Sequence, residues 1–171
     1  LFQQDVEYGS PLSLTCADAV AGHLRKVADA ASRDLAGERG RFPLAVMHQE
    51  LPQRRNADLT TQAPTGTLSM LAGCSSGIEP VFALSQTKTC LDGTRFTAVN
   101  PEFENQVSGL FDAELAQQII DQVAGHGTLQ CVPDQHRMVL RHFVTAQEVG
   151  PEDHVLMQAQ FQAHTDAGVS K

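Results

Sequence analysis

An α/β fold is what this sequence predicts, on three observations. Residues 17–35 carry one long apolar stripe at 3,4 spacing (Ala17, Val20, Ala21, Leu24, Val27, Ala28, Ala31, Leu35), the mark of an amphipathic helix. Short runs suited to strands recur around Leu59 and Thr61, at residues 81–84, at 143–146 and at 167–170, each set apart from the next by helix signals. The resulting order is helix, strand, loop with short helix, hairpin-like pair, two helices, strand, helix, strand. Helices that lead into separate strands favour α/β layering. The strand content is too small for a closed barrel.

Residues 1–15 show little periodicity and read as loop, with Gly9, Ser10 and Pro11 as turn residues. The first helix is expected to begin near residues 15–18 and to end at Gly37 or Gly40. Pro43 and Pro52 break an irregular connection, and Gln53-Arg54-Arg55-Asn56 leads into a strand that Pro64 ends. Thr65 and Thr67 are both able to cap a short helix over residues 68–72. After Pro80, residues 81–84 and 87–91 read as extended, Asp92-Gly93 as a turn, and residues 95–99 as the returning arm of a hairpin. Asn100-Pro101 starts a short helix. Asp112 caps a clearer one, with Leu115, Ile119, Ile120 and Val123 on one face and Gly125 and Gly127 at its close. Val132-Pro133-Asp134 is a turn, and residues 135–141 have helical character. Gly150-Pro151-Glu152-Asp153 is a strong helix start, with proline at the first position and acids at the positive dipole end. Val155, Leu156, Ala159 and Ala163 are expected to face inward from it, with His154 and His164 on the same helix about 15 Å apart.

With 171 residues the chain is large enough for a single segment (1–171) with a real core. A hydrophobic content of 42% with 19% charged residues excludes a disordered chain. The net charge of −8 argues against a nonspecific nucleic-acid surface. No apolar run approaches the roughly 18 residues a membrane span needs, and no leader pattern is visible. The default expectation is therefore cytoplasmic, with no membrane and no nucleic-acid partner. Leu1 is not an initiator and residues 167–170 read as a new strand, so the chain is expected to be part of a longer polypeptide.

Four cysteines form no C-x-x-C pair, and disulfides are not expected in a reducing compartment. Cys74 reads most simply as core. Cys131, His136 and His142 fit no standard zinc spacing, so no metal site is expected. Glu79 either tunes a proton transfer or anchors a turn by accepting main-chain N–H groups. Arg54 and Arg55 either face a phosphate or pair with carboxylates at a strand mouth.

The stretch around residues 60–80 organises the chain. Gly66 removes a side chain at a turn before a helix, so its neighbours' N–H groups can approach an anion. By local chemistry alone, such a turn is most often a plain cap. Neither a Walker loop nor a Gly-x-Gly-x-x-Gly fingerprint is present. Yet Arg55-Asn56-Ala57, Ala63-Pro64-Thr65-Gly66-Thr67 and Gly73-Cys74-Ser75-Ser76-Gly77-Ile78-Glu79-Pro80 together resemble the large-subunit signature of ribonucleotide reductase, in its adenosylcobalamin-dependent (class II) branch. Thr87-Lys88-Thr89, Leu91-Asp92-Gly93-Thr94-Arg95-Phe96, Asn100-Pro101, Phe143-Val144-Thr145-Ala146 and His164-Thr165-Asp166 agree in order and spacing, over roughly residues 24–171.

That resemblance implies part of the second half of a ten-stranded α/β barrel. It implies that Pro64, Thr65, Gly66, Thr67 and Leu68 bind the phosphates of a ribonucleotide substrate through main-chain N–H groups and threonine hydroxyls. It implies adenosylcobalamin as cofactor, and as partners the remainder of the reductase chain and a thiol reductant such as thioredoxin. The family's radical cysteine sits in an Asn-x-Cys-x-Glu motif, which none of Cys16, Cys74, Cys90 and Cys131 matches. No catalytic residue is therefore expected in this segment, which alone should be inactive. The alternative is a noncatalytic nucleotide- or phosphate-binding module derived from the same barrel. Asp58, Gln62 and Gly168 depart from the family pattern without touching the loop.

Overall fold

A computed structural model describes residues 1–72, 74–89 and 92–170. The expectations that fall on Gly73, Cys90, Leu91 and Lys171 lie outside the described residues. The chain forms two compact units. One comprises Leu1–Ser13 with Glu79–His154, and the other Leu14–Ile78 with Val155–Lys171.

The first unit is built on α4 (Pro101–Leu110) and α5 (Ala113–His126), with a hairpin of β1 (Ser85–Thr89) and β2 (Arg95–Val99). Both helices start where their sequences say they should. Asn100 accepts the N–H groups of Glu102 and Phe103, and Asp112 accepts that of Leu115, satisfying donors that no helix can satisfy for itself. Gly127 closes α5 at φ 75°, in the left-handed region, where a Cβ would also stand 3.3 Å from that of Ala83. The predicted hairpin forms with antiparallel register from Ser85↔Val99 to Thr89↔Arg95. Phe103, Val107, Ile119, Val123, Leu140 and Phe143 fill the core, with Phe103 edge-on to Phe143 at 5.2 Å. Residues 143–146, expected as a strand, join no ladder; one bond from Ala146 N–H to the Val81 carbonyl ties them to residues 81–84, which bend at Phe82 and Leu84 rather than run extended as expected. The short α6 spans only Asp134–Arg137.

The second unit rests on α1 (Pro11–Arg39), which starts four residues before the expected capping region because Pro11 is itself a good first helical residue. Gly40, at φ 78°, ends it, and Gly37 lies inside it. Its buried face takes small members of the predicted stripe and leaves the large ones out. Ala17, Ala21 and Ser32 are buried, whereas Val20, Leu24, Val27 and Leu35 are exposed. The helix turns its small residues inward because they let backbone approach closely, and its larger stripe lies uncovered among the described residues. A similar correction applies to α7 (Pro151–Gln162), whose start is as expected. Met157 is buried, while Val155, Leu156, Ala159 and Ala163 are exposed, and His164 lies beyond the helix end.

Strand pairing in this unit is short. Residues 60–62 run parallel to 167–170 through Ala167 N–H to Thr60 O, Gln62 N–H to Gly168 O and Ser170 N–H to Gln62 O, with a bridge Gln62↔Val169. Among the described residues there is no closed sheet. The ten-stranded barrel is therefore not seen, because a barrel strand needs a neighbour on both edges and this pair has one. A short α2 (Pro43–Met47) and α3 (Gly66–Ala72) complete the unit.

Candidate functional site

The five loop residues lie together at the C-terminal end of the extended 60–62 segment, running into α3. Pro64, Gly66, Thr67 and Leu68 are exposed, and Thr65 is half-buried. Thr65 has φ 54°, a left-handed conformation that a β-branched residue adopts only under constraint. The constraint comes from the segment after α3. Ser76 Oγ donates to the Pro64 carbonyl, and Gly77 N–H donates to Thr65 Oγ1 at 3.3 Å. Gly77 is required there on two counts. Its φ is 52°, and a Cβ would meet Gln62 Nε2 at 3.3 Å and the Ala63 carbonyl at 3.5 Å.

These contacts correct the expected cap. The Thr65 hydroxyl serves Gly77 rather than the start of α3, and Ser69 Oγ turns back to the Gly66 carbonyl at 2.7 Å. The Thr65 carbonyl takes the Ser69 N–H at 2.9 Å, the first bond of the helix. The N–H groups of Gly66, Thr67 and Leu68 precede that bond and have no acceptor among the described residues. Beyond its chain neighbours and its own helix backbone, no described residue comes within 4 Å of the place a Gly66 Cβ would take. Such a turn can offer adjacent amides and the Thr67 hydroxyl to an anion.

Neither arginine of the Arg54-Arg55 pair serves this turn. Arg54 is 2% exposed. It donates to the Asn56 and Ala57 carbonyls at 2.9 and 2.6 Å and pairs with Asp29 at 3.0 Å and Asp166 at 3.4 Å. Of the two readings, the carboxylate pairing is the observed one. Arg55 reaches the Arg39 and Gly40 carbonyls at the end of α1, where a cation meets the negative dipole end. Asn56 is tied to Ser32 by its N–H and its side-chain oxygen. Asp166 also pairs with Arg25 and accepts the Leu59 N–H at 2.8 Å. Partial burial alone would raise its carboxyl, but Arg25, the Leu59 N–H and Arg54 together hold it below the ordinary range.

Cys74, expected in the core, is exposed. Its turn leaves it there while Ile78 takes the buried position. Burial pushes the Cys131 thiol up, and its Sγ donates to the Thr128 carbonyl. Glu79 is exposed and accepts no main-chain N–H among the described residues, contrary to the anchoring reading. Burial, then Glu79 and Asp153, push the Tyr8 phenol well above its ordinary value. His164 bonds Asp18 at 2.8 Å. Buried His142 bonds Gln106 at 2.8 Å, and desolvation lowers its pKa. No group of three or more His, Cys, Asp or Glu is gathered to hold a metal among the described residues, and no helix there is long and apolar enough to cross a membrane.

The left-handed Thr65 and the Ser76–Gly77 buttress have no counterpart in the sequence reading, and a carboxylate partner for Arg54 is expected there without its identity as Asp166. Ser76, Gly77 and Asp166 all lie within the family-like motifs, so the signal was present without its geometry.

Residues 49–171 match the family model described as ribonucleotide reductase, barrel domain. The chain is 41% identical over 176 residues to the vitamin B12-dependent ribonucleoside-diphosphate reductase of Thermoplasma acidophilum, which covers 100% of this chain and 22% of that protein. It is 36% identical over 170 residues to the protein of the same description from Mycobacterium tuberculosis, covering 97% of this chain and 24% of that one. The chain thus spans about a quarter or less of these relatives' length. Among solved structures it resembles the Actinobacillus ureae class Id ribonucleotide reductase alpha subunit, with a TM-score of 0.73 and 23% identity over 99% of this chain and 30% of that one. At that identity the likeness concerns the fold.

Proposed function

The chain belongs to the ribonucleotide reductase barrel-domain family, and on that premise we propose that it is the substrate-phosphate segment of a vitamin B12-dependent ribonucleoside-diphosphate reductase. The whole enzyme makes deoxyribonucleotides for DNA synthesis by radical chemistry. In it, this segment completes part of a ten-stranded α/β barrel whose other strands come from the rest of the polypeptide.

Pro64, Thr65, Gly66, Thr67 and Leu68 hold the substrate phosphates. The observation that carries this is the run of three adjacent N–H groups, at Gly66, Thr67 and Leu68, without an acceptor among the described residues and beside open space at Gly66. The buttressed Thr65 holds the turn ready before the ligand arrives, which lowers the ordering cost of binding. The role is binding and orientation: anchored phosphates fix where the ribose can lie.

Adenosylcobalamin supplies the initiating radical when bound. Of this segment's histidines, His142, His154 and His164 already bond Gln106, the Ala146 carbonyl and Asp18. The thiyl-radical cysteine with its Asn-x-Cys-x-Glu motif and the site of the thiol reductant, such as thioredoxin, belong to the remainder of the chain, and the cofactor's contacts lie partly there. The setting is cytoplasmic, where nucleotides and thiol reductants are at hand.

The test is Gly66→Val in the intact enzyme. Beyond its own helix, no described residue stands near the new Cβ, so the fold should tolerate it, while the branched side chain bars a phosphate from the amides. CDP binding is expected to weaken by more than about tenfold. Unchanged CDP affinity would sink the site.

A further inference from the structure

The residues just before the phosphate turn are held to their neighbour by few main-chain bonds: Ala167 to Thr60, Gln62 to Gly168 and Ser170 to Gln62. A pair this short specifies its register weakly, and a slip of one residue would reverse every side chain. Something else must fix where residues 63–68 emerge. Asp166 stands at the start of the partner segment. One of its oxygens accepts the Leu59 N–H at 2.8 Å, and its own N–H reaches Thr60 Oγ1 at 3.3 Å. The carboxylate is thus bonded to the very backbone that leads into the turn. Its position is fixed from behind by Arg25 on α1 and by Arg54. Arg54 is buried, and its guanidinium spans Asp29 on α1, the Asn56 and Ala57 carbonyls and Asp166. A planar fork with several fixed donors suits such a junction, and lysine could not reproduce it.

We propose that Asp166, locked by Arg54, is a positioning residue for substrate phosphate: it sets the register of residues 59–62 and so the place of the amides at Gly66, Thr67 and Leu68. This rests on the phosphate reading above. Asp166 touches no substrate; it acts through the strand whose C-terminal end carries the loop, the end at which α/β sheets bind ligands.

The experiment uses the full-length enzyme and compares affinity for CDP with affinity for cytidine, which lacks the phosphates. In Asp166→Ala, CDP affinity is expected to fall about tenfold while cytidine affinity holds. Asp166→Asn retains an oxygen for the Leu59 N–H and should recover part of the loss. If CDP and cytidine weaken together, the residue is merely structural and the proposal fails. It fails equally if the CDP-to-cytidine ratio of Asp166→Ala equals that of the wild type. Should Asp166→Ala not fold, Asp166→Asn decides on the same ratio, an unchanged value overturning the proposal. Gly66→Val separates the two claims. If it weakens CDP and the Asp166 variants do not, only the positioning role is lost; if it leaves CDP unaffected, the loop reading falls first.

Discussion

Thr65 and Gly77 face one another across the turn, and both have positive φ. Glycine bears that conformation without cost, and threonine bears it because Ser76 and Gly77 grip the residues around it. Replacing Gly77 with alanine puts a Cβ into the left-handed region and against Gln62 and Ala63. A loss of about 1 kcal/mol is expected in chemical unfolding, together with weaker CDP binding. Arg54→Ala should cost more, about 3 kcal/mol, because it removes one partner of a buried ionic junction and strands the Asn56 and Ala57 carbonyls. The same junction predicts an acid response. Asp29 and Asp166 are both held below the ordinary carboxylate range when folded, Asp29 chiefly through Arg33 and Arg54. Carboxyls with depressed folded values contribute in full above the unfolded pKa and lose that contribution as pH falls through the folded one. Unfolding midpoints followed downward from about pH 5 should therefore drop less steeply in Asp166→Asn than in the wild type. Equal slopes would mean that Asp166 is not held as an ion.

At the scale of elements, local signals and packing parted company. Helix starts were readable because a cap is a contact between near neighbours. Asn100, Asp112 and Pro151 each begin the helix their chemistry implies. Asp112→Ala should cost about 1 kcal/mol, seen as a lower unfolding midpoint. Phe143→Ala should cost about 3–5 kcal/mol, since Phe143 is wholly buried among Phe2, Phe103 and His142. Helix faces were less readable. The predicted stripe satisfies the 3,4 rule, yet its Ala17 and Ala21 are buried in line with Ser13 and Ser32 while its Val20, Leu24, Val27 and Leu35 are exposed. Periodicity reports that a helix has an apolar side; it does not report which side meets this part of the protein. Residues 143–146 failed as a strand for a related reason. Their composition suits extension, but a ladder needs a partner, and only Val81 offers one bond.

For the whole molecule, the family assignment and the missing radical motif point the same way. The 171 residues on their own, given adenosylcobalamin and a dithiol, are expected to convert no CDP. Any dCDP formed would require a radical cysteine among Cys16, Cys74, Cys90 and Cys131 and would overturn the division of labour proposed here. The sequence by itself determined the family, the place of the turn and most helix starts, because motif spacing and capping act between residues close along the chain. Only the tertiary structure decided that Arg54 turns inward to Asp166, that Gly77 holds Thr65 in a left-handed bend, and that α1 buries its small residues. Each of those joins groups from separate parts of the chain, the Arg54–Asp166 pair across 112 positions, and no local pattern encodes what a side chain will meet at that distance.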